Sequence, residues 1–451
     1  MISRTLSFLL LLSLSLHVRS QQEYTLHFNR SMVQSSFTNP AFMTRHKVVI
    51  SLPSLAYNYG NNAFSYKDLV RKDPSDDSTI LDFDNIISKM SANNVLQMQS
   101  YLDWISIYIS FKNWQFSYNS TTKVDFKLFY TKDMMSLLWN GNAQFIGQTV
   151  EIGPGLNMQM YREHGFRVAR HFEKFDVGLR FKFLNGAANI YSVRNSMQLT
   201  TGSQNYASTL STDYEVREAG IRGWDGADLL PFKSAPNKGY AFDIGGVYRI
   251  NEKWEVTASV VDLGRIRWTD SVRIHKSNGS FSYNGIDIGD FIDNKNFDIS
   301  ALQDSLESLY FTTEKGKSYI SNLVPKTYMS ATFHPDAKTS FGALLHMEYL
   351  KGIHPGVGLY AGREFADFFT LGFSYAYKNK RFDNVGFNMN LGMPAFTLYL
   401  VTDNLLNFLR PGYGRNVTFR YGININISKL GSRRKKKKEK EEEEVEPSGG
   451  L

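Results

Sequence analysis

The segment at residues 418–428, with the sequence TFRYGININIS, places an apolar side chain at every second position. On a β-strand, consecutive side chains point to opposite faces of the sheet, so a period of two gives one apolar face and one polar face. The segment therefore predicts a strand that separates an apolar surrounding from a polar one. Its apolar positions are Phe419, Tyr421, Ile423, Ile425 and Ile427, and Thr418, Arg420, Gly422, Asn424, Asn426 and Ser428 lie between them.

The same alternation recurs along most of the chain and predicts further strands. It is weak at residues 155–171 and 188–201, so we expect between fourteen and sixteen strands in total. The candidates are 47–58, 96–111, 114–129, 155–171, 174–184, 188–201, 205–218, 238–250, 253–264, 326–336, 338–350, 353–364, 367–379, 382–392, 395–402 and 416–428.

The lengths of the connections also alternate. If the first strand runs outward, every turn after an even-numbered strand is short, and every long connection follows an odd-numbered strand. Outer-membrane barrels have short periplasmic turns and longer extracellular loops, so this segregation favours a barrel. The short turns are Lys112-Asn113, Phe172-Glu173, 202–204, Asn251-Glu252, Asp336-Ala337, Phe365-Ala366 and Met393-Pro394, and the long extracellular loops are 59–95, 130–154, 219–237 and 265–325.

The first twenty residues have the features of a secretion signal. Arg4 supplies the positive charge, residues 6–16 form a short apolar core, and Val18 and Ser20 are the small residues of a cleavage site. We therefore expect residues 1–20 to be a signal peptide that directs export, with the mature chain starting near Gln21.

The composition agrees with a barrel in a membrane. The mean hydropathy of −0.32 excludes a bundle of membrane helices, whereas a barrel exposes only alternate residues to lipid and keeps a low mean hydropathy. Aromatic residues make up 14% of the chain, which suits rings at the boundary between lipid and water. The fold prediction is an all-β, transmembrane antiparallel barrel over residues 47–428, in contact with outer-membrane lipid.

Several kinds of chemistry are not supported by the sequence. The absence of cysteine excludes disulfides and thiolate metal sites, and the histidines lack helical ligand spacing, so we expect no metal and no cofactor. We find no phosphate-binding loop and no esterase elbow, and we expect no enzymatic activity and no catalytic residue. The one dense basic cluster, at residues 433–438, is followed directly by glutamates, which argues against nucleic-acid binding.

The chain after residue 428 changes in character. Residues 433–446 form a block of lysines and arginines followed by glutamates, which predicts a solvated, disordered tail over residues 429–451. The strand count places this tail in the periplasm, where it is a candidate contact for a periplasmic protein. Two loop segments, 131–140 and 298–310, have helical apolar spacing. They are expected to pack the loops together, and the alternative is a gate for a substrate.

A hairpin at residues 239–268, with the sequence GYAFDIGGVYRINEKWEVTASVVDLGRIRW, is more specific than the rest of the chain. Gly245-Gly246 is expected to let the first strand bend, Asp262 to cap a strand end, and Trp268 to anchor the barrel at the membrane interface. The hairpin resembles the central hairpin of a Bacteroidota outer-membrane barrel family of unknown function. That family is similar to a branch of the long-chain fatty-acid transporter superfamily, which also contains an accessory barrel of type IX secretion.

A second resemblance lies near the start of the mature chain. Asn39-Pro40-Ala41 is similar to the Asn-Pro-Ala of the N-terminal hatch in that superfamily, and residues 402–406 also fit the narrower family. The resemblance implies fourteen strands and an N-terminal hatch, here residues 21–46, that plugs the lumen. It makes Asn39, Pro40 and Ala41 the expected hatch contacts.

The function expected from these features is passive transport through the outer membrane of a Gram-negative bacterium. The cargo would be a small hydrophobic or amphipathic molecule that passes through the lumen. Two alternatives are an accessory barrel that docks secreted proteins or periplasmic machinery, and a structural or surface-adhesion barrel. The preference for transport rests on the analogy with the superfamily.

Overall fold

The computed structural model describes residues 23–73, 75–76, 78–204, 206–221, 236–283, 312–350, 352–366, 368–378, 381–393, 395–410 and 412–429. The expected signal peptide, the helical segment at 298–310 and the tail from residue 430 lie outside these ranges. Within them, no helix is long and apolar enough to cross a membrane.

The described residues form an all-β fold with a few short helices. The helices are α1 Tyr24–Phe28, α2 Tyr66–Leu69, α3 Phe83–Lys89, α4 Lys132–Asn140 and α5 Leu405–Leu409, with 3-10 turns at Val33–Phe37 and Ala143–Phe145. The strands are β1 His46–Ser51, β2 Ser54–Asn61, β3 Val70–Lys72, β4 Thr79–Leu81, β5 Asn93–Phe111, β6 Trp114–Thr131, β7 Thr149–Glu151, β8 Gly155–His171, β9 Phe175–Thr201, β10 Ser208–Ala219, β11 Asn237–Arg249, β12 Trp254–Trp268, β13 Arg273–Tyr283, β14 Thr312–Lys315, β15 Tyr319–Asn322, β16 Lys326–Phe333, β17 Thr339–Tyr349, β18 Ile353–Ala366, β19 Phe369–Lys378, β20 Arg381–Gly392, β21 Phe396–Thr402 and β22 Asn416–Lys429.

Antiparallel pairing closes these strands into a barrel of fourteen wall strands, which confirms the predicted fold class. In order, the wall consists of β1 with β2, then β5, β6, β8, β9, β11, β12, β15 with β16, β17, β18, β19, β20, β21 and β22. Strand β22 pairs with β1 and β2, so the sheet has no free edge around the wall.

The short turns gather at one end of the barrel, which we call the short-turn end, and the longer connections at the other, the long-loop end. Lys112-Asn113, between β5 and β6, belongs to the first end. The turn at 202–204 is an exception to the sequence prediction. Strand β9 is 27 residues long, and its second half pairs with β10 beyond the point where its first half pairs with β11.

This long strand explains why sixteen strands were also conceivable. Segments 188–201 and 205–218 have strand periodicity, but they form an extension sheet of β9, β10, β13 and β14 rather than two wall strands. The turn at 202–204 therefore lies at the long-loop end, contrary to the sequence prediction. Alternation alone cannot distinguish a strand of the wall from a strand that continues past it.

Burial of the wall residues is inverted relative to a soluble protein. On β9, Leu179 is 54% exposed while the next residue, Arg180, is 2% exposed. On β22, Tyr421 and Ile423 face outward and Arg420 is buried. Apolar side chains cover the outside and polar ones face the lumen, as expected for a barrel whose solvent is lipid.

The loops at the long-loop end pack on one another. Helix α4 confirms the helical prediction at 131–140, and its Met134 and Met135 pack against Ile87, Met90 and Tyr130. This apolar cluster joins the loop after β2 to the loop after β6. The helix thus packs loops together, as expected.

Candidate functional site

Residues 23–42 lie inside the barrel and enter it from the short-turn end, where β1 begins. We call this stretch the lumen segment. Its side chains are almost all inaccessible to solvent, including polar ones such as Thr25, His27 and Asn39. Buried polar groups require hydrogen-bond partners, and the inner faces of the wall strands supply them.

The first turn of the lumen segment is held by Asp403, which follows β21. Its carboxylate accepts hydrogen bonds from the backbone N–H groups of Tyr24 and Thr25, at 3.2 and 2.9 Å, and from Thr25 Oγ1 at 2.6 Å. Thr25 Oγ1 also lies 2.7 Å from Ser374 Oγ on β19. A carboxylate at this position satisfies the N–H groups that a helix start leaves unpaired.

His27 connects the middle of the segment to the wall. Its Nδ1 lies 2.9 Å from Thr38 Oγ1, and its Nε2 lies 3.1 Å from Ser330 Oγ and 3.3 Å from Thr257 Oγ1. Burial, with a smaller contribution from Arg30, lowers the pKa of His27 to about 3. The imidazole is therefore neutral at physiological pH and hydrogen-bonds without carrying a charge into the lumen.

The residues predicted as hatch contacts lie against the hairpin of β11 and β12. Asn39 Nδ2 donates to the carbonyl oxygen of Gly246 at 3.1 Å, and Asn39 Oδ1 accepts from Ala41 N at 2.9 Å. Arg167 on β8 donates from Nε to the carbonyl oxygen of Pro40 at 2.5 Å. Asn39, Pro40 and Ala41 are thus brought together on the wall. Their role as a hatch stays a prediction.

Gly245 is required by this contact rather than by a bend alone. A Cβ atom at Gly245 would lie 2.1 Å from Asn39 Oδ1 and 2.9 Å from Pro40 Cδ, whereas a Cβ at Gly246 would meet only the Asp176 carbonyl oxygen at 3.7 Å. A side chain therefore has room at Gly246 but not at Gly245. Gly245 lets the lumen segment approach the wall.

We expect Gly245→Ala to displace Asn39 and Pro40 and loosen the lumen segment, while Gly246→Ala leaves it in place. Both variants carry the same change on the same strand, so altered strand propensity affects both. Limited proteolysis of the purified barrel measures the difference: cleavage within residues 23–45 should be at least severalfold faster in Gly245→Ala. Equal cleavage rates in the two variants would contradict the contact.

A layer of paired charges lies deeper in the lumen, beside the lumen segment. Arg420 on β22 donates to Asp103 at 2.8 Å and to Glu23 at 2.9 Å. The Phe37 ring lies between two guanidinium groups, with its centroid 5.0 Å from Arg180 Cζ and 5.5 Å from Arg420 Cζ. Ion pairs and cation–π contacts therefore hold the segment from two sides of the wall.

Asp262 is the centre of the opposite half of this layer. Lys182 Nζ lies 2.6 Å from its Oδ1, Lys326 Nζ 3.5 Å from Oδ2 and Lys123 Nζ 3.7 Å from Oδ1. Asp262 has a φ of 62° where the pairing of β11 and β12 shifts register, and this bulge turns its carboxylate into the lumen. Among the described residues, no group of histidine or carboxylate side chains is arranged to hold a metal ion.

Two expectations for the hairpin are wrong. Asp262 lies inside β12 rather than at a strand end. Trp268 is 0% exposed, and its Nε1 donates to Ser321 Oγ at 2.8 Å, so it packs inside the barrel and does not anchor the membrane interface. In both cases the bulge at Asp262 changes which residues face inward, and the sequence pattern carries no sign of it.

Cavities lead from the long-loop end towards the lumen segment. A cavity of about 300 Å³ is lined by polar, charged, tyrosine and aliphatic residues, and it shares Asp262 and Lys326 with a smaller cavity of about 30 Å³ beside Phe37. At the first of these, Lys127 Nζ on β6 and Glu348 Oε1 on β17 lie 3.1 Å apart. These two strands are six positions apart around the wall, so the ion pair spans the lumen.

Comparison with known proteins finds one matching family model and several similar solved structures. A model of a family of unknown function, DUF5723, matches residues 40–403. No curated protein matches the sequence. Among solved structures, similar chains include the TodX deltaS2S3 mutant, a monoaromatic hydrocarbon channel, at 8% identity, 88% coverage of this chain, 95% of that chain and a TM-score of 0.46.

Two further solved structures are similar to the same extent. A Pseudomonas aeruginosa FadL homologue has 9% identity, covers 91% of this chain and 99% of its own, and has a TM-score of 0.42. The Ralstonia pickettii toluene transporter TbuX has 8% identity, 87% and 92% coverage, and a TM-score of 0.41. The barrel fold of this chain is shown by its own strand pairing.

Proposed function

We propose that this chain, which belongs to the DUF5723 family of unknown function, is a passive transport barrel of a bacterial outer membrane. The long-loop end faces the cell exterior, and the short-turn end and the C-terminal tail face the periplasm. The lumen segment acts as a hatch that moves when a molecule passes. The resemblance of the hairpin at 239–268 favours a Bacteroidota source.

The observation that carries this proposal is the series of cavities that ends at the lumen segment. They share wall residues from one to the next, and a further cavity of about 110 Å³ lies on the short-turn side of the segment, lined in part by His27, Arg30 and Glu255. A purely structural barrel does not need internal space on both sides of a buried segment. Cavities on both sides of the lumen segment fit a transport path that only this segment blocks.

The lining favours an amphipathic cargo over a hydrocarbon. Tyr101, Tyr161 and Tyr191 line the larger inner cavity together with paired charges and amides. A molecule without polar groups would leave these groups without partners when it displaced water, which is unfavourable. An amphipathic molecule can pack its apolar part on the tyrosine rings and hydrogen-bond the polar groups with its other part.

The ion pair across the lumen gives a direct test of the path. We expect the double variant Lys127→Ala/Glu348→Ala to raise uptake severalfold, because it removes both side chains that span the lumen without leaving one charge buried alone. The measurement is entry of p-nitrophenyl glucoside into liposomes that contain a trapped glucosidase. The swapped variant K127E/E348K should restore the pair and the low rate. Identical rates in all three proteins would rule out passage through this part of the lumen.

A second candidate function is docking of a protein at the cell surface or in the periplasm. The extension sheet of β9, β10, β13 and β14 stands beyond the wall, and the charged tail at 433–446 is a candidate contact for periplasmic machinery. Truncation after Lys429 should then release a protein that co-purifies with the full chain. Identical co-purified proteins from both forms would remove the tail from this candidate function.

A further inference from the structure

A cavity of about 280 Å³ at the long-loop end differs in chemistry from the rest of the lumen. It lies between the outer ends of β5, β6 and β8 and the interior of β9. Five of its fourteen described lining residues are asparagines, and none of the fourteen is charged. Paired charges line the lumen below this cavity, so its uncharged lining distinguishes the cavity from the rest of the lumen. Its asparagines are Asn62, Asn93, Asn94, Asn157 and Asn195.

The backbone fixes some of these amides and leaves others available. Asn62 Oδ1 accepts from Val95 N at 2.7 Å, and Asn195 Nδ2 donates to the carbonyl oxygen of Gly153 at 3.2 Å. Within the described residues, Asn62 Nδ2, Asn195 Oδ1 and both amide atoms of Asn157 have no protein hydrogen-bond partner. The cavity therefore presents available donors and acceptors, and the amides of Asn62 and Asn195 are held in place by the backbone.

Aromatic surface completes the lining. Phe129, Tyr130 and Tyr191 line the cavity, and the Tyr130 hydroxyl donates a hydrogen bond to Asn61 Oδ1 at 3.2 Å. Tyr191 and Asn157 also line the larger inner cavity. The asparagine cavity is thus the outer part of the same path, directly above the ion pair across the lumen.

We propose that the asparagine cavity binds an uncharged sugar ring. Sugar hydroxyls both donate and accept hydrogen bonds. They therefore match the available donor of Asn62, the available acceptor of Asn195 and both amide atoms of Asn157, and the C–H faces of the ring pack on aromatic carbons. Carboxylates and phosphates are disfavoured because a buried charge without a partner is costly. A cavity of about 280 Å³ holds several water molecules, so it has room for a small ring.

This inference deepens the proposed function: the sugar would be the polar part of an amphipathic cargo, recognised before it reaches the inner cavity. An uncharged peptide also carries donors and acceptors. However, the site is a compact cavity rather than an open strand edge, which favours a ring over an extended chain.

Binding is tested on the full-length protein in a detergent without sugar groups. The probes are glucose, galactose and N-acetylglucosamine, with glucose 6-phosphate as the charged comparison and a terminally blocked trialanine as the peptide comparison. We expect saturable binding of at least one neutral sugar by calorimetry, and a loss of at least about tenfold in affinity for Asn157→Ala and Asn195→Ala. Asn278→Ala, at an exposed position on β13, is the matched control.

Three results would overturn the sugar site: no neutral sugar binds, the two cavity variants bind as tightly as the control, or the blocked peptide competes for the same site with higher affinity. The shift of the folded barrel on an unheated gel verifies that each variant is folded. Because binding is measured without transport, sugar binding together with an unchanged uptake rate in Lys127→Ala/Glu348→Ala would refute the transport path and leave the sugar site intact.

Discussion

Deletion of residues 21–45 should convert the closed barrel into an open one. The deletion removes the lumen segment and spares β1, which begins at His46. It also removes every hydrogen bond that crosses from the segment to the wall, including those of Thr25, His27 and Asn39. The wall closes through β22 pairing with β1 and β2, so it does not depend on the segment.

The expected result is at least a tenfold rise in the swelling rate of liposomes in solutions of small sugars, and stable open channels in planar bilayers. Truncation after Lys429 is the matched control, since it removes a terminal stretch of similar length and should leave permeability unchanged. A folded deletion variant with the permeability of the full chain would show that something other than residues 21–45 closes the lumen.

A disulfide between positions 25 and 374 should abolish transport in the full-length chain. The Thr25 and Ser374 hydroxyl oxygens lie 2.7 Å apart, so cysteine sulfurs at these positions come close to bonding distance. The chain contains no cysteine, so Thr25→Cys/Ser374→Cys introduces its only two thiols. The bond would fix α1 to β19 and prevent the segment from leaving the lumen.

Uptake of p-nitrophenyl glucoside by the oxidised double variant should fall to the rate of liposomes without protein and recover on reduction. Each single variant, Thr25→Cys or Ser374→Cys, should transport at the same rate under oxidising and reducing conditions. If the oxidised protein, with its cross-link verified by mass spectrometry, transports normally, the segment does not have to move.

The fold was largely predictable because each wall strand has an apolar outer face and a polar face towards the lumen. This contrast makes apolar and polar residues alternate along each strand, as at Leu179 and Arg180. In addition, most short turns lie at one end of the barrel and the long loops at the other. The number of wall strands was less certain, since β9 keeps the same alternation after it leaves β11 and pairs with β10. Alternation shows which face of a strand is apolar and which is polar. It does not show with which strand the segment pairs.

Within the lumen segment, sequence reasoning named only Asn39, Pro40 and Ala41, and it did so through resemblance. Lys127 and Glu348 are separated by 221 residues in the chain, and strand periodicity places both in the lumen without giving their heights or partners. Asp262 was misassigned because a bulge cannot be recognised from its sequence alone. The requirement for Gly245 also depends on a segment about two hundred residues earlier.

The most direct test of the account asks which side of the wall strands meets acyl chains. Single cysteines at Leu179 and Leu359, which are 54% and 62% exposed on the outside, and at Gln159, which lines the inner cavity, can each carry a nitroxide in reconstituted liposomes. We predict that oxygen, which dissolves in lipid, reaches the labels at 179 and 359, that a water-soluble nickel chelate is excluded from them, and that the chelate reaches the label at 159. Labels at 179 and 359 that neither reagent reaches, or that the chelate reaches freely, would contradict a lipid-facing wall.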